Sequence, residues 1–277
     1  MNRPYFLKPV PEESAPCGLT EPRREEALNT RLIGHSDLAG WKDSFQIRVR
    51  NGICYVAGGG FKNGSYGLTV LDVSNPRKPT VIKQFNHPPT ARSHKVLLVD
   101  DVLIMNVDKK PDVDDPDIKG GLALYDISNP RDPRFMKYVE TDGLGIHRPV
   151  YDPKRKLLYS GGFKDGCNGR VLLVHDMKDP RNPDYIGAGW VPAQGEALGE
   201  EPTWNTELVS KKSVDLHEAQ PFGNYVTCAW RRGGFGMMDL TDPSKPKFMW
   251  RENPYETHQW SPAAHTFLVP EGSAFGI

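Results

Sequence analysis

One phrase recurs four times along the chain, and it confines the fold to an array. It reads DVSNPRKP from Asp72, DISNPRDP from Asp126, DMKDPRNP from Asp176 and DLTDPSKP from Asp239. Each copy follows a short apolar run: LTVL, LALY, VLLVH and FGMM. A unit returning every ~50 residues buries its apolar face only against its neighbours, so the repeat has to be read before anything else.

Each repeat reads as four short strands. In the second, His94 opens SHKVLLV, Asp100-Asp101 makes a tight turn, and VLIMNV from Val102 returns. GGLALYDIS from Gly120 is a third strand and RFMKYVET a fourth, joined by the proline turn. Proline fixes φ there, and Asn or Asp bonds its own backbone. The first repeat runs FQIRV, Asn51-Gly52, ICYVAG, YGLTVLDV and TVIKQF; Asn-Gly is the strongest hairpin signal in the chain. The third runs HRPVY, KLLYSGG, RVLLVHDM and DYIGAGWV, and the fourth LHEAQ, YVTCAW, FGMMDL and KFMWREN. A fifth begins with HTFLV, a PEGS turn and AFGI, where the sequence given stops.

Four antiparallel strands per repeat is the pattern of a propeller blade. The expected fold is all-β: a β-propeller of four complete blades, about 41–86, 91–141, 145–191 and 214–253, plus a partial fifth at 263–277. Residues 1–29 are an N-terminal extension and 30–277 the propeller domain. Either ALNTRLIG, from Ala27, supplies an outer strand that closes the ring, or the chain is a fragment of a larger ring. Two insertions break the rhythm. One is an acidic stretch with Asp108, Asp112, Asp114, Asp115 and Asp117, read as a solvated loop because its spacing does not match an EF-hand. The other runs from Pro192 to Ser213 and carries Glu196, Glu200, Glu201 and Trp204; long loops in compact domains are often functional, so it is a candidate lid.

Composition excludes several classes. Lys plus Arg number 35 and Asp plus Glu 35, which argues against nucleic acid or anionic membrane as partner, since both need a basic face. No apolar stretch is long enough to span a bilayer, and MNRPYFLKPVPEESAPCG has no apolar leader core. Cys17, Cys54, Cys167 and Cys228 form no CxxC pair, so they read as free thiols in a reducing, cytoplasmic setting. Neither GxSxG, Walker A nor HExxH occurs. GGGF at Gly58 and GGF at Gly161 open no helix and read as bends where strands approach closely.

The stretches LTVLDVSNP, LALYDISNP, VLLVHDMKDP and FGMMDLTDP resemble the LVIVD repeat family, over about residues 30 to 277. That resemblance implies a β-propeller and says little about chemistry. VLLVHDM departs from it, with His175 where the other strands carry an apolar residue or Tyr. Asp72, Asp126, Asp176 and Asp239 read as turn caps rather than catalysts.

A second regularity points to a site. His94, His147, His217 and His265 stand at equivalent places, at the start of the first strand in successive repeats; in the first repeat the place falls to Phe45, with Gln46 adjacent. The innermost strands of a propeller line its axis, so these histidines are expected to converge. Neutral imidazole is a good ligand for iron, copper or zinc, and carboxylates beside it hold each ring by its other nitrogen. Glu218 and Asp215 flank His217 and are the candidates. Arg92 and Arg148 suit an anionic substrate; His258 and Trp260 stand near the same face, while His35, His87 and His175 fall outside the register. Four axial histidines on iron also mark the carotenoid-cleaving oxygenases, an analogy of architecture alone, since none of their motifs occurs here.

The sequence therefore predicts a metal-dependent enzyme. His94, His147, His217 and His265 are the metal ligands, and Glu218 and Arg148 the catalytic residues. The cofactor is a divalent metal ion, iron first, copper or zinc next. The reaction is oxidation or oxidative cleavage of a small organic substrate. A metal-assisted hydrolase or lyase and a non-catalytic scaffold for protein binding are the alternatives. The expected partner is a small molecule, with no nucleic acid and no membrane; oligomerisation stays open.

Overall fold

The turn phrase dictates the same hydrogen bonds in every repeat. The carboxylates of Asp72, Asp126, Asp176 and Asp239 accept from the backbone N–H two residues on, at Ser74, Ser128, Lys178 and Thr241, at 2.7 to 3.0 Å. The next residue then closes the repeat: Val73, Ile127, Met177 and Leu240 each donate to a carbonyl in the preceding hairpin turn, at Gly52, Asp101, Lys156 and Asn224, all at 2.8 Å. Short side chains that bond their own backbone favour turns over regular structure, and here they set the ends of the third strands.

The computed structural model describes residues 8–9, 31–41, 44–59, 66–86, 90–110, 115–192, 194–195, 197, 199–201, 207, 214–253 and 263–270. The described protein is all-β with antiparallel sheets. The chain divides into two units, Met1–Met105 with Asp112–Ile118 and Tyr125–Lys137, and Asn106–Pro111 with Lys119–Leu124 and Tyr138–Ile277.

In the first unit, β1 (Lys8–Pro9), β2 (Ser44–Arg50), β3 (Ile53–Gly58), β4 (Tyr66–Asp72) and β5 (Thr80–Asn86) form one sheet in the order β1-β5-β4-β3-β2. Asn51 and Gly52 both take positive φ, 51° and 76°, the left-handed pair that a two-residue hairpin needs. Cys54, Val56 and Leu71 bury together against Val73 and Val81. After β6 (Ala91–Arg92), β7 (Val96–Val99) pairs with the start of β8 (Val102–Lys109), Val99 opposite Val102 and Val96 opposite Met105. Strands β8, β9 (Gly121–Asp126) and β10 (Arg134–Glu140) are neighbours in one sheet.

In the second unit, β11 (Asp142–Ile146), β12 (Val150–Asp152), β13 (Leu157–Phe163), β14 (Val171–Asp176) and β15 (Asp184–Gly189) carry the third repeat. The fourth is the sheet β16 (Val214–Phe222), β17 (Tyr225–Arg231), β18 (Phe235–Asp239) and β19 (Lys247–Glu252). Tyr159, Leu172, Val174, Leu216, Val226 and Trp230 are buried together as its core. Because alternate strand residues face opposite ways, the unbroken burial along Leu157–Gly162 of β13, Val171–His175 of β14 and Val226–Trp230 of β17 marks strands buried on both faces.

Three expectations change. Strand β11 was not read: it pairs with β13 and, through Gly145 opposite Asp108, with the end of β8. HTFLV forms no strand. Among the described residues, 263–270 contribute one isolated bridge, Ala264 to Arg231, because the carbonyls of His265 and Phe267 are taken by the side chains of His217 and Thr227 instead of a ladder. AFGI lies outside the described residues, as do Ala27–Thr30 of ALNTRLIG, and Arg31–Gly34 form no strand. The thiols of Cys54, Cys167 and Cys228 are free, as expected; Cys17 lies outside the described residues. No helix among the described residues is long and apolar enough to cross a membrane.

Candidate metal centre

The site in the second unit begins at a glycine. A Cβ on Gly161 would collide with the carbonyl oxygen of Leu216, so only glycine lets the backbones of β13 and β16 come this close. The Gly161 carbonyl accepts from His147 N–H at 2.9 Å, which seats His147 just beyond β11. Its ring is buried, and Nδ1 lies 3.1 Å from the Asp108 carboxylate. A carboxylate accepts, so Nδ1 carries the proton and Nε2 the lone pair.

Asp108 is itself buried at the end of β8 and is held by Arg170, whose Nη2 lies 3.2 Å from Oδ1. The same guanidinium reaches Asp215 at 2.9 Å and lies over the Phe163 ring. Arg231 adds a second ion pair to Asp215, with Nε 3.1 Å from the carboxylate. Two carboxylates bridged by one arginine resist displacement more than either pair alone.

His217 sits in an irregular stretch of β16. Val214 opposes Arg231 and Glu218 opposes Ala229, so four steps of β16 (214 to 218) face two of β17 (231 to 229). Within that bulge Leu216 N–H bonds to the Arg170 carbonyl at 2.9 Å. Bulges re-aim side chains, and here His217 and its neighbour Glu218 are both buried. His217 Nδ1 donates to the His265 carbonyl at 2.6 Å, which again leaves Nε2 with the lone pair. Burial pushes the His217 pKa down to about 2; the His265 carbonyl pulls it up, and a second charge beside His147, His265 and Arg231 would be repelled, which pushes it further down. The ring is neutral at any physiological pH.

The rings gather. His217 and His265 lie 3.9 Å apart at 40°, and His147 and His217 4.9 Å apart at 58°. Arg148 Nη1 is 2.8 Å from Glu218 Oε2 and 3.4 Å from His265 Nδ1. Thr266 Oγ1 donates to Glu218 Oε2 at 2.7 Å, and Gln220 donates to Oε1. One donor atom each from His217, Glu218 and His265 lie within 4.8 Å of one another.

Of the residues the sequence singles out, His147, His217, His265, Glu218 and Arg148 come together. His94 belongs to the first unit, where it is buried with its ring edge-on to Phe45, centroids 5.8 Å apart; Gln46 there accepts from Val96 N–H at 2.8 Å. Arg92 is half-buried in β6. Asp215, expected beside a histidine ring, pairs with Arg170 and Arg231 instead. Asp108, read as part of a solvated loop, is the carboxylate on His147, because β8 runs on to Lys109 and carries it inward. His258 and Trp260 lie outside the described residues.

The LVIVD repeat family matches residues 45–87 and 117–141. These two segments carry LVIVD repeats. Among solved structures, a protein from Lactobacillus plantarum is similar at 10% identity and a TM-score of 0.50, over 73% of this chain and 52% of that one. Its likeness is one of fold, and the fold is propeller-like. The computationally designed Ika8 protein is similar at 9% identity and a TM-score of 0.48, over 82% of this chain and 52% of that one. The chain thus spans about half the length of these two structures. A comparison with curated proteins returns no match.

Proposed function

We propose that the LVIVD repeats form blades of a β-propeller and that the protein is a metal-dependent oxidoreductase. A divalent ion, iron first and copper or zinc next, would be held by His147, His217 and His265. One observation carries the reading. Two buried histidines from successive repeats commit Nδ1 to a fixed acceptor, Asp108 and the His265 carbonyl, and so present the Nε2 lone pair. Metal-ligating histidines are held this way by an outer partner, which fixes the tautomer and raises ligand basicity. A neutral His217 has no proton to displace when an ion arrives.

Bound there, the ion supplies Lewis acidity and redox capacity. The chain's own residues do the rest. Asp108 and Arg170 hold the His147 ring. Arg148, with its side chain 18% exposed beside Glu218 and His265, meets the polar end of a small organic substrate. With dioxygen as oxidant, cleavage of a carbon–carbon double bond puts one oxygen atom on each of two carbonyl products and needs no external reductant.

The test is elemental analysis of the purified protein beside His217→Ala. About one equivalent of iron, copper or zinc in the parent, lost in the variant, supports the reading. A parent that holds no metal and cannot be loaded refutes it and leaves a scaffold for protein binding.

A further inference from the structure

We infer that Glu218 is itself a ligand of that ion, so that His217, Glu218 and His265 form a two-histidine, one-carboxylate face. The inference rests on the metal reading above and adds to it the carboxylate. Consecutive strand residues normally point to opposite faces. The four-against-two irregularity of β16 suspends that rule between Val214 and Glu218, and the two side chains supply donor atoms to one place. His265 completes the set from 263–270, a segment tied down by Ala264 N–H on the Arg231 carbonyl and by Thr227 on the Phe267 carbonyl.

The spread fits an ion. Donors on opposite sides of one ion bonded at ~2.1 Å stand ~4.2 Å apart, and these three lie within 4.8 Å, a side-chain adjustment away. Glu218 is also prepared. A buried carboxylate needs partners to stay charged, and Arg148, Thr266 and Gln220 provide them. Each carboxylate oxygen has two acceptor sites; Arg148 and Thr266 take both on Oε2, and Gln220 leaves one on Oε1 for a metal.

A carboxylate in the set changes which ion is preferred. Carboxylate with imidazole suits iron(II), manganese(II) and cobalt(II), whereas copper(I) prefers softer donors, and the two-histidine, one-carboxylate arrangement with open positions is that of non-haem iron(II) oxygenases. His147, outside this group of three, remains the further ligand, with its ring fixed by Asp108.

The test is anaerobic titration of the metal-free full chain with cobalt(II), read by visible absorption. Parent, His217→Ala, Glu218→Gln and Glu218→Asp are compared, and near-UV circular dichroism checks that each is folded. The inference expects Glu218→Gln to weaken binding at least ~100-fold, as His217→Ala does, and Glu218→Asp to recover part of it. X-ray absorption of the loaded parent should show a carboxylate oxygen beside the imidazoles, which covers a Glu218→Gln chain that fails to fold. Glu218→Gln binding within twofold of parent while His217→Ala binds nothing would overturn the inference and leave the metal reading standing. A parent that binds no cobalt would overturn both.

Discussion

His175 is a polar residue where its repeat equivalents are Leu71, Tyr125 and Met238, each just before the turn aspartate. It is fully buried in β14, across from Leu158 on β13 and Tyr185 on β15, whose ring meets it edge-on with centroids 5.7 Å apart. Among the described residues neither ring nitrogen has a hydrogen-bond partner. Burial pushes its pKa down to about 4, against a weak upward pull from Asp184, the charged group facing it from β15. The unfolded chain therefore binds a proton that the folded one refuses between pH 6.5 and 4, so stability is complete above pH 6.5 and falls as the pH drops through that window. A pKa of about 4 against 6.5 corresponds to about 3 kcal/mol, at 1.36 kcal/mol per pH unit. His175→Leu removes this loss. It also removes two unsatisfied nitrogens, which adds about 1 kcal/mol at neutral pH, less whatever the new shape costs in packing. Urea unfolding of the metal-free protein and the variant, at several pH values from 7.5 to 4, measures both effects. The difference between the two chains isolates His175 from the other histidines, since groups without shared partners contribute additively. Equal pH slopes for parent and variant would refute the argument and mean that a bound water or a rearrangement satisfies the ring.

Two further substitutions test the frame of the site. Gly161→Ala should destabilise the protein by several kcal/mol and lower metal content, because the new methyl meets the Leu216 carbonyl; an unchanged melting temperature would show that β13 and β16 can part. Asp108→Asn should leave the fold intact but weaken metal affinity ~10–100-fold, through the lost anchor on His147; unchanged affinity would remove His147 from the centre.

The turns were legible because their chemistry is local. Asp72, Asp126, Asp176 and Asp239 cap turns with bonds two residues long, so sequence neighbours carry the whole signal. The histidine register was legible for the same reason at a larger scale, since a repeat copies position along with residue. Asp108 was not. Its partner His147 lies 39 residues away, and its sequence neighbours, Asp112 to Asp117, are those of a solvated loop. The one clue was that the run of β8, VLIMNV, resumes an apolar residue at Val107 after Asn106. Strand β11 was hidden by its glycines: TDGLGI has little strand propensity, yet Gly145, at φ 97°, is what admits the close approach to the Val107 carbonyl.

Glu218 shows where strand periodicity itself misleads. Alternation along LHEAQ assigns His217 and Glu218 to opposite faces, so the sequence reading makes the glutamate a catalytic residue beside the metal and not one of its ligands. That conclusion assumes a regular ladder. The irregularity arises because Leu216 gives its N–H to Arg170 and the backbone of β16 leans towards β13, where Gly161 leaves room for the Leu216 carbonyl. The approach that deforms the strand thus places consecutive polar residues together, and no pattern within β16 encodes it. The information lies in a glycine some fifty residues upstream, whose lack of a side chain has a reason only once the two strands are side by side.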